Sequence, residues 1–199
     1  VFVGAPGSGK TTALLNAGLH FLLTEEGGAG KGVGGTRNCD WFFTEDAVLV
    51  DTAGRYVQQQ SDPDVDSAEW LGFLDMLKKH RGKRALNGVI LTLSLKELLA
   101  GEASVREHGR EIRKRLAELR ERLQIQLPVY LMLTKVDLVP GFEAFFGTLP
   151  TKDREQVWGA TLPTDARIDR TSIEREVKAL LANLETRLPV ERSREKVEA

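Results

Sequence analysis

The sequence predicts an α/β fold in which a mostly parallel sheet carries one antiparallel strand and is covered by helices on both faces. Three observations predict it. Near-continuous apolar runs at 89–93 and 129–133 alternate with helical stretches, as parallel strands buried on both sides do. A glycine-rich loop, Gly4-Ala5-Pro6-Gly7-Ser8-Gly9-Lys10-Thr11, follows a short apolar run and opens a helix. The apolar stretches 40–43 and 47–50 are separated only by Thr44-Glu45-Asp46, a connection short enough to permit nothing but a hairpin and hence an antiparallel pair.

Each element follows in order. Residues 1–3 are the end of a strand. Residues 10–23 read as a helix, with Leu14, Leu15, Leu19 and Leu22 at helical spacing. The segment 27–35 holds six glycines, too many for a helix or a packed strand, so it reads as a mobile connector. After the hairpin, 67–80 is a helix with Ser67 as N-cap and Trp70, Leu71, Leu74 and Leu77 on one face. Strand 89–93, amphipathic helix 104–123 and strand 129–133 continue the alternation. A last short strand is expected at 156–161 and a last helix at 171–188, and the charged, aperiodic 189–199 reads as a frayed tail or cut linker. The expected division is a nucleotide-type domain over 1–163, an appended helical segment over 164–188, and the tail.

Composition narrows the function classes. The 199 residues carry 28 Lys+Arg against 29 Asp+Glu, a net charge of −1, with 41% apolar and 29% charged residues. That composition excludes a disordered chain. It also argues against a nucleic-acid partner, which calls for a basic excess gathered on one face. The single cysteine, Cys39, cannot form an internal disulfide. The longest apolar runs, 88–95 and 128–133, fall far short of the roughly 20 residues of a membrane helix. The chain opens on Val1 rather than Met, with about three residues of strand before the loop. It is therefore expected to be an excised piece, any targeting or membrane segment lying outside it.

Three motifs carry chemistry. The first, Gly4-xxxx-Gly9-Lys10-Thr11, has the form of a Walker A loop. Backbone N–H groups around Gly4, Gly7, Ser8 and Gly9 would converge on phosphate oxygens, with Thr12 beside them. Lys10 would neutralise the β and γ phosphates, and Thr11 would ligate Mg²⁺. The structural alternative is a glycine-rich turn. The second, Asp51-Thr52-Ala53-Gly54, follows an apolar strand, where Asp51 could hold Mg²⁺ through water and the Gly54 N–H could meet a γ phosphate. An Asp at a strand end can also be only a helix cap. The third, Thr134-Lys135-Val136-Asp137, resembles the base-reading motif of GTPases. There the carboxylate accepts two hydrogen bonds from guanine and the lysine stem covers the base. Thr134 in place of Asn loses an amide, and a loop cap is the alternative.

Thr36 stands where GTPase-like folds carry a switch threonine that closes over Mg²⁺. Arg37 and Arg55 are candidates for stabilising transition-state charge. Arg55 also occupies the place of the water-orienting Gln of small GTPases, so fast unaided hydrolysis is not expected. The basic run from Lys78 to Arg84 suits either an anionic surface or simply the negative end of a helix. His20, His80 and His108 are scattered and imply no metal cluster.

Signal-recognition-particle GTPases share the GKTT, DTAGR and TKxD motifs. Two features oppose them: DTAG follows Lys10 by only about 40 residues, and the hairpin makes the preceding strand antiparallel, as in Ras-like domains. The combined motifs therefore predict a P-loop NTPase of Ras-like GTPase topology. The stretches GVGGTRNCDWFFT at 32–44, AVLVDTAGRY at 47–56, AEWLGFL at 68–74, NGVI at 87–90 and QVWG at 156–159 resemble the IcmF/TssM family, from Val1 to about Pro163.

That resemblance implies an inner-membrane component of the bacterial type VI secretion system. This domain would lie on the cytoplasmic face of the inner membrane, anchored by segments outside the present chain. It implies assembly with TssL and TssJ. The family is described as binding or hydrolysing ATP, whereas Asp137 suits guanine, so ATP and GTP both stay open, with Mg²⁺. Some members lack an intact Walker A loop; this chain keeps Lys10, Thr11 and Asp51. The leading expectation is a nucleotide-binding, slowly hydrolysing domain whose nucleotide state switches 32–38 and 54–61. The alternatives are a structural scaffold with a vestigial pocket, and a signal-recognition-type targeting GTPase.

Overall fold

A computed structural model of the chain describes residues 1–22, 38–58, 62–147, 149–154, 156–163 and 168–198. They divide into two compact units, Val1–Val136 and Asp137–Ala199.

The first unit is a mixed α/β domain around a five-stranded sheet. Its strands are β1 (Phe2–Val3), β2 (Cys39–Phe43), β3 (Val48–Thr52), β4 (Val89–Ser94) and β5 (Val129–Thr134), in the spatial order β2-β3-β1-β4-β5. β1 lies parallel to both β3 and β4, with Phe2 opposite Asp51 and Ile90, and β4 is parallel to β5. β2 alone runs antiparallel, pairing Cys39 with Thr52 through Phe43 with Val48. Its turn is closed by Thr44 and Ala47, whose backbone groups bond at 2.9 Å while the Thr44 hydroxyl bonds both backbone groups of Ala47 at 3.0 Å. A short polar residue that satisfies the turn backbone twice explains why so few residues suffice.

The helices are α1 (Lys10–Leu15), α2 (Arg55–Gln58), α3 (Pro63–Arg81), α4 (Leu95–Leu98) and α5 (Glu102–Leu123). Two depart from expectation. α1 stops at Leu15 instead of running to Leu23, because the Asn16 side chain turns back on Thr12 O at 2.8 Å and Gly18 takes φ 69°. Leu19 and Leu22, which supplied the helical period, are left exposed. Residues 21 and 22 lie along the end of β2, Phe21 opposite Thr44 and Leu22 N donating to Phe43 O at 2.8 Å.

α3 begins a turn before the expected Ser67 cap. Asp62 accepts from Val65 N at 3.3 Å, and Pro63 occupies the first turn, where its missing N–H costs nothing. At the other end Lys78, Lys79, His80 and Arg81 fill the last turn before Gly82, so the basic run sits at the negative end of the helix macrodipole.

The core lies where α3 and α5 meet the sheet. Val3, Val50, Val89 and Leu91 pack with Trp70, Phe73, Leu74 and Leu77 of α3 and with Ile112, Leu119 and Leu123 of α5. Trp70 is the largest fully buried side chain, its ring 6.0 Å from Tyr56 and 5.8 Å from Phe73. Trp41 and Trp158 are substantially exposed. Trp70→Ala is therefore expected to lower stability by about 3–5 kcal/mol. Urea unfolding followed by circular dichroism measures the loss; a change under about 1 kcal/mol would mean that this core is misassigned.

The second unit contains α6 (Phe142–Phe146), α7 (Thr151–Arg154) and α8 (Arg170–Glu198). No strand forms over 156–161, where the sequence predicts one; Val157 is almost fully exposed there, and a strand with neither partner nor burial has nothing to hold it. α8 is capped by Asp169, whose Oδ1 accepts from the Ser172 N–H and hydroxyl, both at 2.8 Å. It continues through Glu198, past the end expected at Leu188; residues 191–196, rich in Glu, Arg and Lys, are good helix formers. Among the described residues no helix is long and apolar enough to cross a membrane.

Candidate functional site

β1, β3, β4 and β5 run in one direction, so their C-terminal ends share one edge of the sheet. The order also reverses beside β1: the chain leaving β1 runs outward to β2 and returns as β3, and the chain leaving β3 crosses past β1 to β4. Open α/β sheets bind ligands at such a point. The predicted site residues of the first unit collect there.

The glycine loop crosses that edge between β1 and α1. Gly7 and Gly9 take φ of 69° and 86°, conformations that side chains disfavour. Gly4 is required for a different reason: a Cβ there would stand 2.2 Å from Thr92 Oγ1 and 2.6 Å from Thr92 O on β4. Ser8 is fully buried and meets the Thr92 hydroxyl at 2.9 Å. Thr134, at the end of β5, donates to Ser8 O at 2.5 Å, so the first and third motifs touch through this hydroxyl. Lys135 beside it holds φ 57°, a left-handed backbone uncommon outside glycine.

Lys10 is buried, and its Nζ donates to Gly4 O at 2.8 Å and Ala5 O at 3.0 Å, curling the loop about the ammonium. Burial pushes the Lys10 pKa down, while the Asp51 and Glu97 carboxylates oppose that shift. Thr11 Oγ1 donates to Asp51 Oδ2 across forty positions of sequence, joining the first motif to the second. Asp51 itself is fully buried on β3. Thr12 is exposed; its carbonyl accepts from Asn16.

Gly54 closes the second motif on the first. A Cβ at Gly54 would lie 2.3 Å from Pro6 N, 2.4 Å from Pro6 Cα and 2.7 Å from Ala5 C, so the two backbones are in direct contact. Arg55 turns to α3: its Nε meets Asp66 Oδ1 at 2.9 Å, and its Nη2 donates to Glu69 Oε2 and, at 2.8 Å, to Asn38 Oδ1.

Asp137 lies on a short 3-10 turn, Val136–Leu138, where the second unit begins, and is exposed. Thr36 and Arg37 lie outside the described residues. Glu97, not singled out from the sequence, bears on Lys10 from the start of α4, where Ser94 and Glu97 form a capping box. Its Ser-x-x-Glu spacing is legible at 94–97, but its proximity to Lys10 depends on the β1–β4 pairing.

Cys39 is partly buried, and burial with the nearby Asp40 and Asp51 charges pushes its thiol up to about 12, which leaves no nucleophile at neutral pH. Among the described residues no three His, Cys, Asp or Glu side chains gather as a metal cluster. A threonine hydroxyl in contact with a carboxylate is nonetheless a hard oxygen pair of the kind Mg²⁺ accepts when phosphates and water complete its shell.

The chain is thus a mixed α/β domain that gathers the glycine loop, the Asp51 carboxylate and the Thr11 and Thr134 hydroxyls at the C-terminal edge of its sheet. The family of the IcmF-related N-terminal domain matches residues 63–199, and the chain belongs to it. It is 54% identical over 168 residues to the type VI secretion system component TssM1 of Pseudomonas aeruginosa (strain PAO1), a match covering 83% of this chain and 15% of that protein. The chain therefore spans a small part of that relative's length. No solved structure matches it.

Proposed function

We propose that this domain is a P-loop module of Ras-like topology that binds a Mg²⁺–nucleoside triphosphate at the edge described above and hydrolyses it slowly. The observation that carries the reading is the contact of Thr11 with Asp51 beside the buried Lys10. It joins separate motifs into the group of oxygens and charge that a triphosphate and its Mg²⁺ require. The strand order β2-β3-β1-β4-β5 with β2 antiparallel supports the topology. The same antiparallel pairing argues against the signal-recognition-type targeting GTPase. In this reading the glycine loop cradles the phosphates, Lys10 exchanges its two carbonyl partners for phosphate oxygens, Thr11 and Asp51 hold Mg²⁺, and Gly54 offers its N–H to the γ phosphate.

The domain would act within a type VI secretion membrane complex, on the cytoplasmic face of the bacterial inner membrane, with TssL and TssJ as partners of the whole protein. Support comes from the family match and the TssM1 relative. Titration of ATP, ADP, GTP and GDP with Mg²⁺ into the 199-residue chain tests the nucleotide reading; no binding at millimolar concentration would reject it.

One observation favours a second reading, a scaffold with an idle pocket. Lys10 is already satisfied by Gly4 and Ala5 carbonyls and Thr11 by Asp51, so the loop holds its shape through its own contacts. Lys10→Ala separates the two: unchanged secretion with a folded protein is the scaffold result.

Base choice rests on Asp137, whose carboxylate suits the paired donors of guanine. Asp137→Asn is expected to weaken GTP and to improve xanthosine triphosphate binding, each by about tenfold. Competitive titration of the two measures it; an unchanged preference would remove Asp137 from base recognition.

A further inference from the structure

The contacts of Arg55 are not accounted for by nucleotide binding. One guanidinium, about a quarter exposed, joins three parts of the domain. Its Nε meets Asp66 at 2.9 Å, and the Asp66 side chain is only 3% exposed. Its Nη2 reaches Glu69 one turn along α3 and, at 2.8 Å, the Asn38 side chain directly before β2. Glu69 also accepts from the Tyr56 hydroxyl at 3.3 Å, and the guanidinium stands 5.4 Å from the Tyr56 ring centre. Behind it the backbone is equally tied: Ala53 N donates to Asn38 O at 2.8 Å, and Gly54 touches Pro6 of the glycine loop.

We infer that Arg55 is a positioning residue that couples the glycine loop to the N-terminal half of α3, so that nucleotide occupancy is transmitted to that helix; this rests on the nucleotide reading above. An arginine poised for transition-state charge needs its donors toward the phosphates. Here Nε and Nη2 are taken by Asp66, Glu69 and Asn38. Asp66 makes the coupling stiff. A buried carboxylate separated from its cation is heavily penalised, so a movement of residues 53–55 toward a γ phosphate must carry the start of α3 with it and hold it there. The planar guanidinium fork, unlike a lysine ammonium, can serve two directions at once.

Amide hydrogen exchange over 63–72 of the 199-residue chain tests this. In wild type, saturating Mg²⁺–ATP or Mg²⁺–GTP is expected to slow that exchange by about tenfold or more. In the double variant Asp66→Asn, Glu69→Gln, which leaves the nucleotide groups untouched, exchange is expected to be about tenfold faster without nucleotide and to lose its response. Nucleotide affinity in that variant should stay at the wild-type value. Arg55→Gln and Arg55→Lys should give the same uncoupled exchange.

Arg55→Gln that abolishes turnover while 63–72 respond as in wild type would overturn the inference and make Arg55 a transition-state arginine. Circular dichroism checks folding; if Asp66→Asn does not fold, Glu69→Gln alone must raise the exchange. Should wild type bind no nucleotide, the nucleotide reading fails by itself. The nucleotide-free comparison then decides the coupling, and unchanged exchange in the variant overturns it.

Discussion

Lys10→Ala is expected to raise the dissociation constant for Mg²⁺–ATP or Mg²⁺–GTP at least about 100-fold, equivalent to about 2.7 kcal/mol, with the chain still folded. The ammonium is the only cation that the described loop brings against its own carbonyls, with Gly4 O at 2.8 Å and Ala5 O at 3.0 Å. A triphosphate entering this edge also meets the buried Asp51 carboxylate, so without Lys10 the local charge repels it. Stability should change little, because the lost hydrogen bonds, about 1 kcal/mol each, are offset by no longer burying an ammonium. Thermal melting within about 4 °C of wild type, together with lost binding in calorimetry, is the expected pair of results. Loss of folding would make Lys10 a structural residue instead.

Gly54→Ala is expected to cost about 1–3 kcal/mol of stability and to weaken nucleotide binding by at least about tenfold. The added methyl would meet Pro6 N, Pro6 Cα and Ala5 C at 2.3, 2.4 and 2.7 Å. These are backbone atoms, with no rotamer to turn aside, so relief requires the glycine loop to shift as a body. A shift of that kind moves the loop amides off any phosphate they cradle. Denaturant unfolding and calorimetry on the same protein measure both effects. A neutral substitution would mean that the second motif does not brace the first.

Local signals carried much of the architecture. Thr44-Glu45-Asp46 between two apolar runs leaves no alternative to the β2–β3 hairpin, and the runs at 89–93 and 129–133 became β4 and β5, but β5, expected to be buried on both sides, exposes Tyr130, Leu131 and Leu133 because it is the edge strand of the sheet. The glycine loop and the Asp51–Gly54 turn were legible for the same reason, since glycines at fixed spacing after short apolar runs are local signals of tight turns at strand ends. What escaped the sequence is what depends on distant partners. The periodicity of Leu19 and Leu22 extended α1 past its true end, because a period cannot report that Asn16 has turned back on Thr12. Asp62-Pro63 marked the start of α3, but the apolar pattern drew attention to Ser67 instead. Arg55 read as a catalytic candidate from its place after DTAG; its ties to Asp66 and Glu69 arise from the packing of α2 on α3. Glu97 reaches Lys10 only because β4 pairs with β1.

If the C-terminal edge of this sheet holds a nucleotide through the glycine loop, binding must depend on Lys10. The decisive measurement is calorimetric titration of Mg²⁺–ATP and Mg²⁺–GTP into the wild-type chain, with Lys10→Ala alongside. Saturable binding of at least one nucleotide at one site per chain is expected in wild type, and binding at least about 100-fold weaker in a folded Lys10→Ala. Binding that survives Lys10→Ala unchanged, or no binding of either nucleotide to wild type at millimolar concentration, would contradict a nucleotide site at this edge.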